Sequence, residues 1–161
     1  MAMVKRLSAL FTGVALLIGL AGWTSLAGAQ LFSSTGPVIA IFDGRLLVGE
    51  ATGHLAGWGT IALHSAANAA LTCVGEFSAT EALGDAGELR CSDRSRAAFL
   101  FQRLSLRRGY GAGRSEASAL TFTYGLTAEE SAPYLKLPIG KALRRDGKNL
   151  ELVGAVPFMV R

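Results

Sequence analysis

A repeat of about 25 residues constrains the fold of this chain of 161 residues more than any other feature. Polar residues typical of turns recur at intervals of 25, at Asp43, Asn68, Asp93 and Ser118. Offset from them, Leu-Val-Gly-Glu at 47–50 returns as Cys-Val-Gly-Glu at 73–76 and, in degenerate form, as Phe-Leu-Phe-Gln at 99–102. A glycine cluster follows each copy, at 57–59, 84–87 and 109–113. Three series in step predict a fold built from small repeated units.

Each unit is interpreted as a β-hairpin. Segments 45–52, 71–79 and 96–105 are apolar, bounded by turn residues, and in the last two apolar side chains alternate with the period of a half-buried strand. Return strands are expected at 60–64, 88–91 and 113–117, with a closing strand at 119–124. Because one hairpin is marginally stable alone, the units must pair. The sequence predicts an all-β domain over 43–126, with about four antiparallel hairpin-like repeats in a small sheet or open barrel.

These repeats resemble a known family. The pattern Asp-Gly-x-x-Leu-x-Gly-Glu at 43–50, followed by Gly-x-Gly-Thr-Ile at 57–61, resembles the MORN repeat, and Cys-x-Gly-Glu-Phe at 73–77 fits at the same spacing. The chain after residue 30 is also similar to small exported bacterial proteins of unknown function and to a bacterial four-fold β-flower domain. MORN proteins are regarded as scaffolds for membrane lipids or proteins, so the resemblance implies binding rather than catalysis.

The first 29 residues are interpreted as a secretory signal peptide. Lys5 and Arg6 precede an apolar stretch at 7–23, and Ala-Gly-Ala at 27–29 is a small-residue cleavage site. The alternative is an uncleaved membrane anchor, since the apolar stretch is just long enough to span a bilayer. Three glycines in that stretch and the cleavage site favour removal near Ala29. We therefore expect an exported protein, periplasmic or secreted, in which residues 30–42 form a lead-in strand.

The C-terminal part, 127–161, has a different pattern. Thr127 and Glu130 form a capping-box signature, which predicts a short helix from about 128 to 134. A basic turn at 141–148 closes on Asp146 and Gly147. The apolar segment 150–160 is expected to form a final strand pair or an arm packed over a sheet edge of the same domain.

The two cysteines are predicted to form a disulfide. An even count in an exported chain favours pairing, and Cys73 and Cys91 lie equally far from residue 82, the centre of the expected hairpin. Folding about that centre places them opposite each other at a distance near that of a disulfide. The chain has no C-x-x-C motif, which argues against an oxidoreductase.

Charge divides the chain into two segments. Residues 43–89 carry a net charge of −5, whereas residues 90–114 carry +6. Flexible, glycine-rich backbone surrounds the basic residues, and guanidinium groups there suit phosphate, lipid head groups or acidic polysaccharide. The candidate surface for an anionic ligand or partner comprises Arg94, Arg96, Arg103, Arg107, Arg108, Tyr110 and Arg114.

Two other interpretations of these arginines stay open. They form a solvated face, or they pair with the acidic segment, either within one molecule or between two copies in a homo-oligomer. Without Lys5 and Arg6 the 16 basic residues fall to 14 against 12 acidic ones, and a net charge of +2 does not indicate nucleic-acid binding. An envelope protein, an anionic lipid or a polysaccharide surface remains as partner.

Few residues suggest catalysis. His54 and His64, the two histidines, are placed to face each other across a bend, but no further metal ligands are well spaced, so neither a metal nor a cofactor is expected. Glu76 and Glu88 are expected to meet on one hairpin, which keeps open a small periplasmic hydrolase or carbohydrate-active enzyme as the alternative. The leading hypothesis is an exported, non-enzymatic envelope protein that binds a partner or anionic surface through its arginines.

Overall fold

A computed structural model describes residues 33–80, 84–116 and 118–155. Eight antiparallel strands follow one another: β1 Ser33–Phe42, β2 Arg45–His54, β3 Trp58–Ser65, β4 Thr72–Thr80, β5 Gly84–Cys91, β6 Arg96–Ser105, β7 Arg108–Arg114 and β8 Ala119–Tyr124. Helix α1 (Ala128–Ser131), a 3₁₀ helix (Ala132–Tyr134) and a hairpin of β9 (Lys141–Asp146) and β10 (Asn149–Gly154) complete the chain. The predicted signal peptide and its cleavage site lie outside the described residues.

The eight strands form one closed barrel. Each strand pairs with its neighbour in sequence, and β1 pairs with β8 in the register Val38 to Tyr124. The predicted all-β architecture of about four antiparallel hairpins is therefore confirmed. The hairpins form a closed barrel rather than a small sheet or an open barrel. Because successive strands run in opposite directions, all four residues of the 25-residue series lie in or beside turns at one end, which we call the upper end. The opposite end, with the β2–β3 and β6–β7 turns, is the lower end.

Glycines and aromatic rings alternate inside the barrel. Gly59 pairs with Phe77, Gly87 with Phe99 and Gly111 with Phe122 in adjacent strands. A Cβ built on any of these glycines would lie 2.2 to 2.4 Å from the Cζ atom of the opposite ring. Each ring therefore occupies the space above a glycine. The glycine clusters and phenylalanines recur in the sequence because each such glycine pairs with a ring. This pairing lets large rings fit inside a narrow eight-stranded barrel.

One predicted strand is wrong. The return strand expected at 113–117 is instead β7 at Arg108–Arg114, because the glycines of 109–113 are themselves part of the strand. Gly109 and Gly111 face inward beneath Tyr124 and Phe122. Strands β6 and β8 have the predicted bounds.

The barrel interior is the principal core, and its aromatic side chains contact one another edge to face. Phe99 meets Phe122 with ring centroids 5.0 Å apart, and Phe77 meets Phe101 at 5.3 Å. The aliphatic part of this core comes mainly from β1, β2, β3, β5 and β8, with members Val38, Leu47, Ile61, Leu63, Leu89 and Leu120.

The C-terminal elements cover the outer face of β1 and β2. Ile39, Ile41 and Leu46 point outward and form a second core with Leu135 and partly buried leucines of the β9–β10 hairpin. The predicted helix begins at its capping box, in which Thr127 Oγ1 accepts from the Glu130 amide and Glu130 accepts from the Thr127 amide. Since β1 and β8 close the barrel, this layer covers a face rather than the expected edge. Neither helix among the described residues has the length and hydropathy needed to cross a membrane.

Candidate functional site

The closed topology separates the candidate arginines into two groups. Arg94, Arg96 and Arg114 lie at the upper end, in the β5–β6 turn, at the start of β6 and at the end of β7. Arg103, Arg107, Arg108 and Tyr110 lie toward the lower end. Strand β7 runs between the groups and spans about 20 Å at the usual rise per residue. The arginines therefore form two sites instead of one face.

The upper group includes an arginine that sequence reasoning did not select. Arg90 lies directly opposite Arg96 in the β5–β6 ladder, and Arg114 lies opposite Ala98, one alternate position along β6 from Arg96. Alternation places these three side chains on the outer wall. We call Arg90, Arg94, Arg96 and Arg114 the upper arginine patch. The sequence signal for Arg90 is alternation: Cys91 faces inward to pair with Cys73, so the preceding residue, Arg90, faces outward.

Only part of this patch is neutralised within the fold. Arg90 donates from Nε and Nη2 to the two carboxylate oxygens of Glu88, at 3.1 and 3.0 Å. This hydrogen bonding by Arg90 lowers the pKa of Glu88, and the nearby charge of Arg96 acts in the same direction. Arg94, Arg96 and Arg114 are exposed and make no ion pair with the described part of the chain.

In the lower group, two arginines stabilise the fold. Arg103 Nε donates to Asp85 at 2.6 Å at the mouth of the barrel, and its guanidinium lies 5.8 Å from the centroid of the Phe101 ring. Arg108 is paired with Glu130 of the capping box. Arg107 is exposed in the turn and has no ion pair within the described residues.

Tyr110 also has a packing role. Its ring stacks on Tyr134 with centroids 4.3 Å apart, and its hydroxyl hydrogen-bonds to Gln102 Oε1 at 2.5 Å. Tyr110 therefore ties the 3₁₀ helix to the outer wall near the lower end and lies apart from the upper patch.

The cysteine prediction is confirmed. Cys73 and Cys91 pair directly across β4 and β5 and form a disulfide with Cα atoms 3.9 Å apart. Cys73 is buried in the barrel core and Cys91 packs against it. The bond joins strands that already pair, and it lies on the inner wall, away from the outer arginines.

Glu76 and Glu88, the two carboxylates that kept an enzyme possible, meet on an exposed surface. Glu76 and Glu88 are directly opposite each other in β4 and β5, as expected. Alternation places both on the outer wall, however, and the lowered pKa of Glu88 keeps its carboxyl ionised rather than available as a general acid. This arrangement lacks the enclosed environment that raises the pKa of a catalytic carboxyl.

The two histidines do not face each other. His54 stacks on Trp58 with ring centroids 3.8 Å apart, whereas His64 lies between Val48 and Thr72 in its ladder. The expectation that they meet across the bend is wrong, because the hairpin pairs Gly53 with Gly59 and shifts His64 five pairs along. Within 33–80, 84–116 and 118–155, no cluster of three or more metal-ligating side chains is found.

A cleft of about 850 Å³ opens at the upper end, between the turns and β10. Its walls include four leucines: Leu46, Leu71, Leu150 and Leu152. Its charged groups are bound within the fold, because Arg45 donates to Asp93 at 2.8 Å and Glu151 accepts from Arg144 at 3.0 Å. The cleft is therefore largely apolar: the Arg45–Asp93 pair joins two upper turns, and the Arg144–Glu151 pair joins β9 to β10.

No protein-family model, curated protein or solved structure matches this chain. The four hairpins of the barrel are compatible with the hairpin repeats predicted from the sequence. No family model supports the resemblance of these repeats to the MORN family.

Proposed function

We propose that the protein is an exported, non-enzymatic binding or structural module whose upper arginine patch meets an anionic partner. The observation that carries the proposal is the convergence of four arginines from β5, the β5–β6 turn, β6 and β7 on one end of the outer wall. Three of them make no ion pair with described residues, so their charge is directed outward. Guanidinium groups at this density suit carboxylate, phosphate or sulfate groups presented along a surface.

Export and the family resemblance belong to the same proposal. The Cys73–Cys91 disulfide is compatible with an oxidising compartment outside the cytoplasm. A MORN-like module, as the repeats suggest, would serve as a scaffold. The open position of Glu76 and Glu88 and the ionised state of Glu88 favour binding over acid catalysis.

The test is binding of a soluble polyanion, dextran sulfate, as a function of salt concentration. We expect the double variant Arg96→Glu, Arg114→Glu to bind roughly tenfold or more weakly, since each reversal removes an attraction and adds a repulsion. The matched control is Arg107→Glu, which reverses one exposed arginine at the other end and is expected to bind as the wild type does. The proposal is wrong if the double variant and the wild type bind equally well at low salt.

A second measurement separates an external polyanion from another copy of this chain. If dextran sulfate does not bind, the double variant is compared with the wild type for oligomeric state by sedimentation. Dissociation of an oligomer by Arg96→Glu, Arg114→Glu would assign the patch to contact between copies and would overturn the proposal of an external anionic partner.

A further inference from the structure

Large apolar side chains are exposed mainly at the lower end. Among the described residues, seven large hydrophobic side chains are well exposed, and four of these belong to the β2–β3 and β6–β7 turns or their borders. Leu55 is 72% exposed, Trp58 51%, Leu104 53% and Leu106 83%. Because β2 and β6 run in the same direction, both turns project from the same end, on opposite sides of the barrel.

These four side chains belong neither to the barrel core nor to the second core beneath the C-terminal layer. Trp58 is held against His54 by stacking, which fixes the ring while leaving half of it open. Leu104 lies at the β6–β7 register shift between Arg103 and Ser105, and alternation from the buried Phe99 and Phe101 places it on the outer wall. We call Leu55, Trp58, Leu104 and Leu106 the lower apolar tips.

Positive charge accompanies one of the tips. Arg107 follows Leu106 directly, is exposed, and makes no ion pair with the described residues. The neighbouring carboxylates Asp85 and Glu130 are already bound to Arg103 and Arg108. The β6–β7 tip therefore presents an exposed leucine beside an arginine whose charge is not offset by these carboxylates. Apolar side chains with an adjacent cation complement the boundary between acyl chains and anionic head groups.

We propose that the lower end docks on an anionic lipid bilayer. Leu55, Leu104 and Leu106 enter the acyl boundary, the Trp58 ring lies at the level of the head groups, and Arg107 meets a lipid phosphate. Tryptophan favours that interface because its ring is apolar and its N–H is polar. Projecting turns suit a bilayer better than a flat protein surface, since two tips on opposite sides of the barrel can insert together. This site is independent of the upper arginine patch, which lies about 20 Å away along β7.

The test uses the protein as recovered from the exported fraction, with its N-terminus defined by mass. Binding is measured to vesicles of phosphatidylcholine mixed with phosphatidylglycerol and to vesicles of phosphatidylcholine alone. We expect Leu106→Ser and Leu55→Ser each to weaken binding to the mixed vesicles roughly tenfold, as the loss of one inserted leucine implies. Val74→Ser is the matched control, because Val74 is 62% exposed on the wall of β4, away from the tips.

Two further measurements distinguish the contribution of the Arg107 charge from the insertion of the Trp58 ring. Arg107→Glu is expected to weaken binding to the mixed vesicles and to leave binding to phosphatidylcholine little changed. Tryptophan emission is expected to shift to the blue on the mixed vesicles, and Trp58→Phe to abolish the shift. Since all the substituted side chains are exposed, unchanged circular dichroism verifies that each variant is folded.

Three results would overturn this inference. They are wild-type binding by the leucine variants, absence of binding to the mixed vesicles, and loss of self-association rather than vesicle binding on substitution of the tips. If the first of these results is found together with loss of vesicle binding in Arg96→Glu, Arg114→Glu, the lipid-binding site is the upper arginine patch. The two proposals therefore fail separately.

Discussion

Arg45 Nη1 donates to Asp93 at 2.8 Å, which joins two turns 48 residues apart across the upper end of the barrel. Arg45 also lies 3.7 Å from Asp43, and Ser118 donates to Asp43 at 2.8 Å. Three of the four turn positions in the 25-residue series therefore take part in one polar network. The repeat places its turns at the same end, and the network holds them there.

Acid is expected to weaken this network. Hydrogen bonds from the side chain of Ser95 and from Arg45 lower the pKa of Asp93 to about 2, below its ordinary value of 3.8. Because the pKa is lower in the folded state, the stabilisation is complete above about pH 4 and is lost as the pH falls toward 2. We expect Asp93→Asn to lower the free energy of unfolding at pH 7 by about 1 kcal/mol, since the pair is partly exposed.

The measurement is thermal unfolding between pH 2 and pH 7, with Asp146→Asn at the end of β9 as control. The difference between Asp93→Asn and the wild type should shrink toward pH 2. A difference that stays constant over this range would contradict the role assigned to the Asp93 carboxylate.

Adding one methyl group inside the barrel is expected to destabilise it. In Gly87→Ala the new Cβ would lie 2.3 Å from Phe99 Cζ and 2.5 Å from the Glu76 carbonyl oxygen, so both ring and backbone must move. We expect a loss of about 1–3 kcal/mol in denaturant unfolding. Gly154→Ala is the control, because a Cβ there meets no atom within 4 Å. Equal stability of the two variants would show that the rings do not need the glycines.

The disulfide is expected to contribute strongly to stability. Its cysteines are 18 residues apart, and closing a loop of this length stabilises a fold by about 3 kcal/mol. We expect Cys73→Ala, Cys91→Ala to lose that amount in denaturant unfolding, and reductant to lower the wild type to the level of the variant. The role of the disulfide would be contradicted if reductant left the denaturant unfolding of the wild type unchanged, at a denaturant concentration that opens the barrel.

The capping box is expected to hold the C-terminal layer. Thr127→Ala removes the acceptor for the Glu130 amide and should cost about 1 kcal/mol. Thr127→Ser keeps the hydroxyl and is expected to be nearly neutral. Hydrogen exchange at α1 and β9 measures the effect locally; unchanged protection in Thr127→Ala would show that packing alone holds the layer.

The parts of the fold that sequence predicted are those in which local chemistry determines structure. Turn residues at 43, 68, 93 and 118 marked the upper end, and the symmetry about residue 82 gave the cysteine pair. The sequence does not predict that β1 pairs with β8 and closes the barrel. The run Val-Ile-Ala-Ile-Phe at 38–42 in β1 has no repeat signature, because its even positions fill the barrel and its odd positions lie beneath the C-terminal layer.

The candidate site was harder to predict, because nearness in sequence differs from nearness in space. Arg107, Arg108 and Arg114 are close in the chain, yet a strand carries Arg114 to the other end. The sequence does not mark the glycines of 109–113 as part of a strand, since their inward contacts with aromatic rings depend on a neighbouring strand. Arg90 was missed for a similar reason: it joins Arg96 only through the β5–β6 register.

Both proposed binding sites belong to a protein that we propose to be exported with its disulfide formed, and the intact mass of the protein recovered from cells tests that premise most directly. The mass is measured with and without reduction and alkylation. We predict a chain that begins near Gln30 and is lighter by two hydrogens than its reduced form, with Cys73 and Cys91 protected until reductant is added. A full-length chain with both thiols free to react would contradict export, the disulfide and the binding role that depends on them.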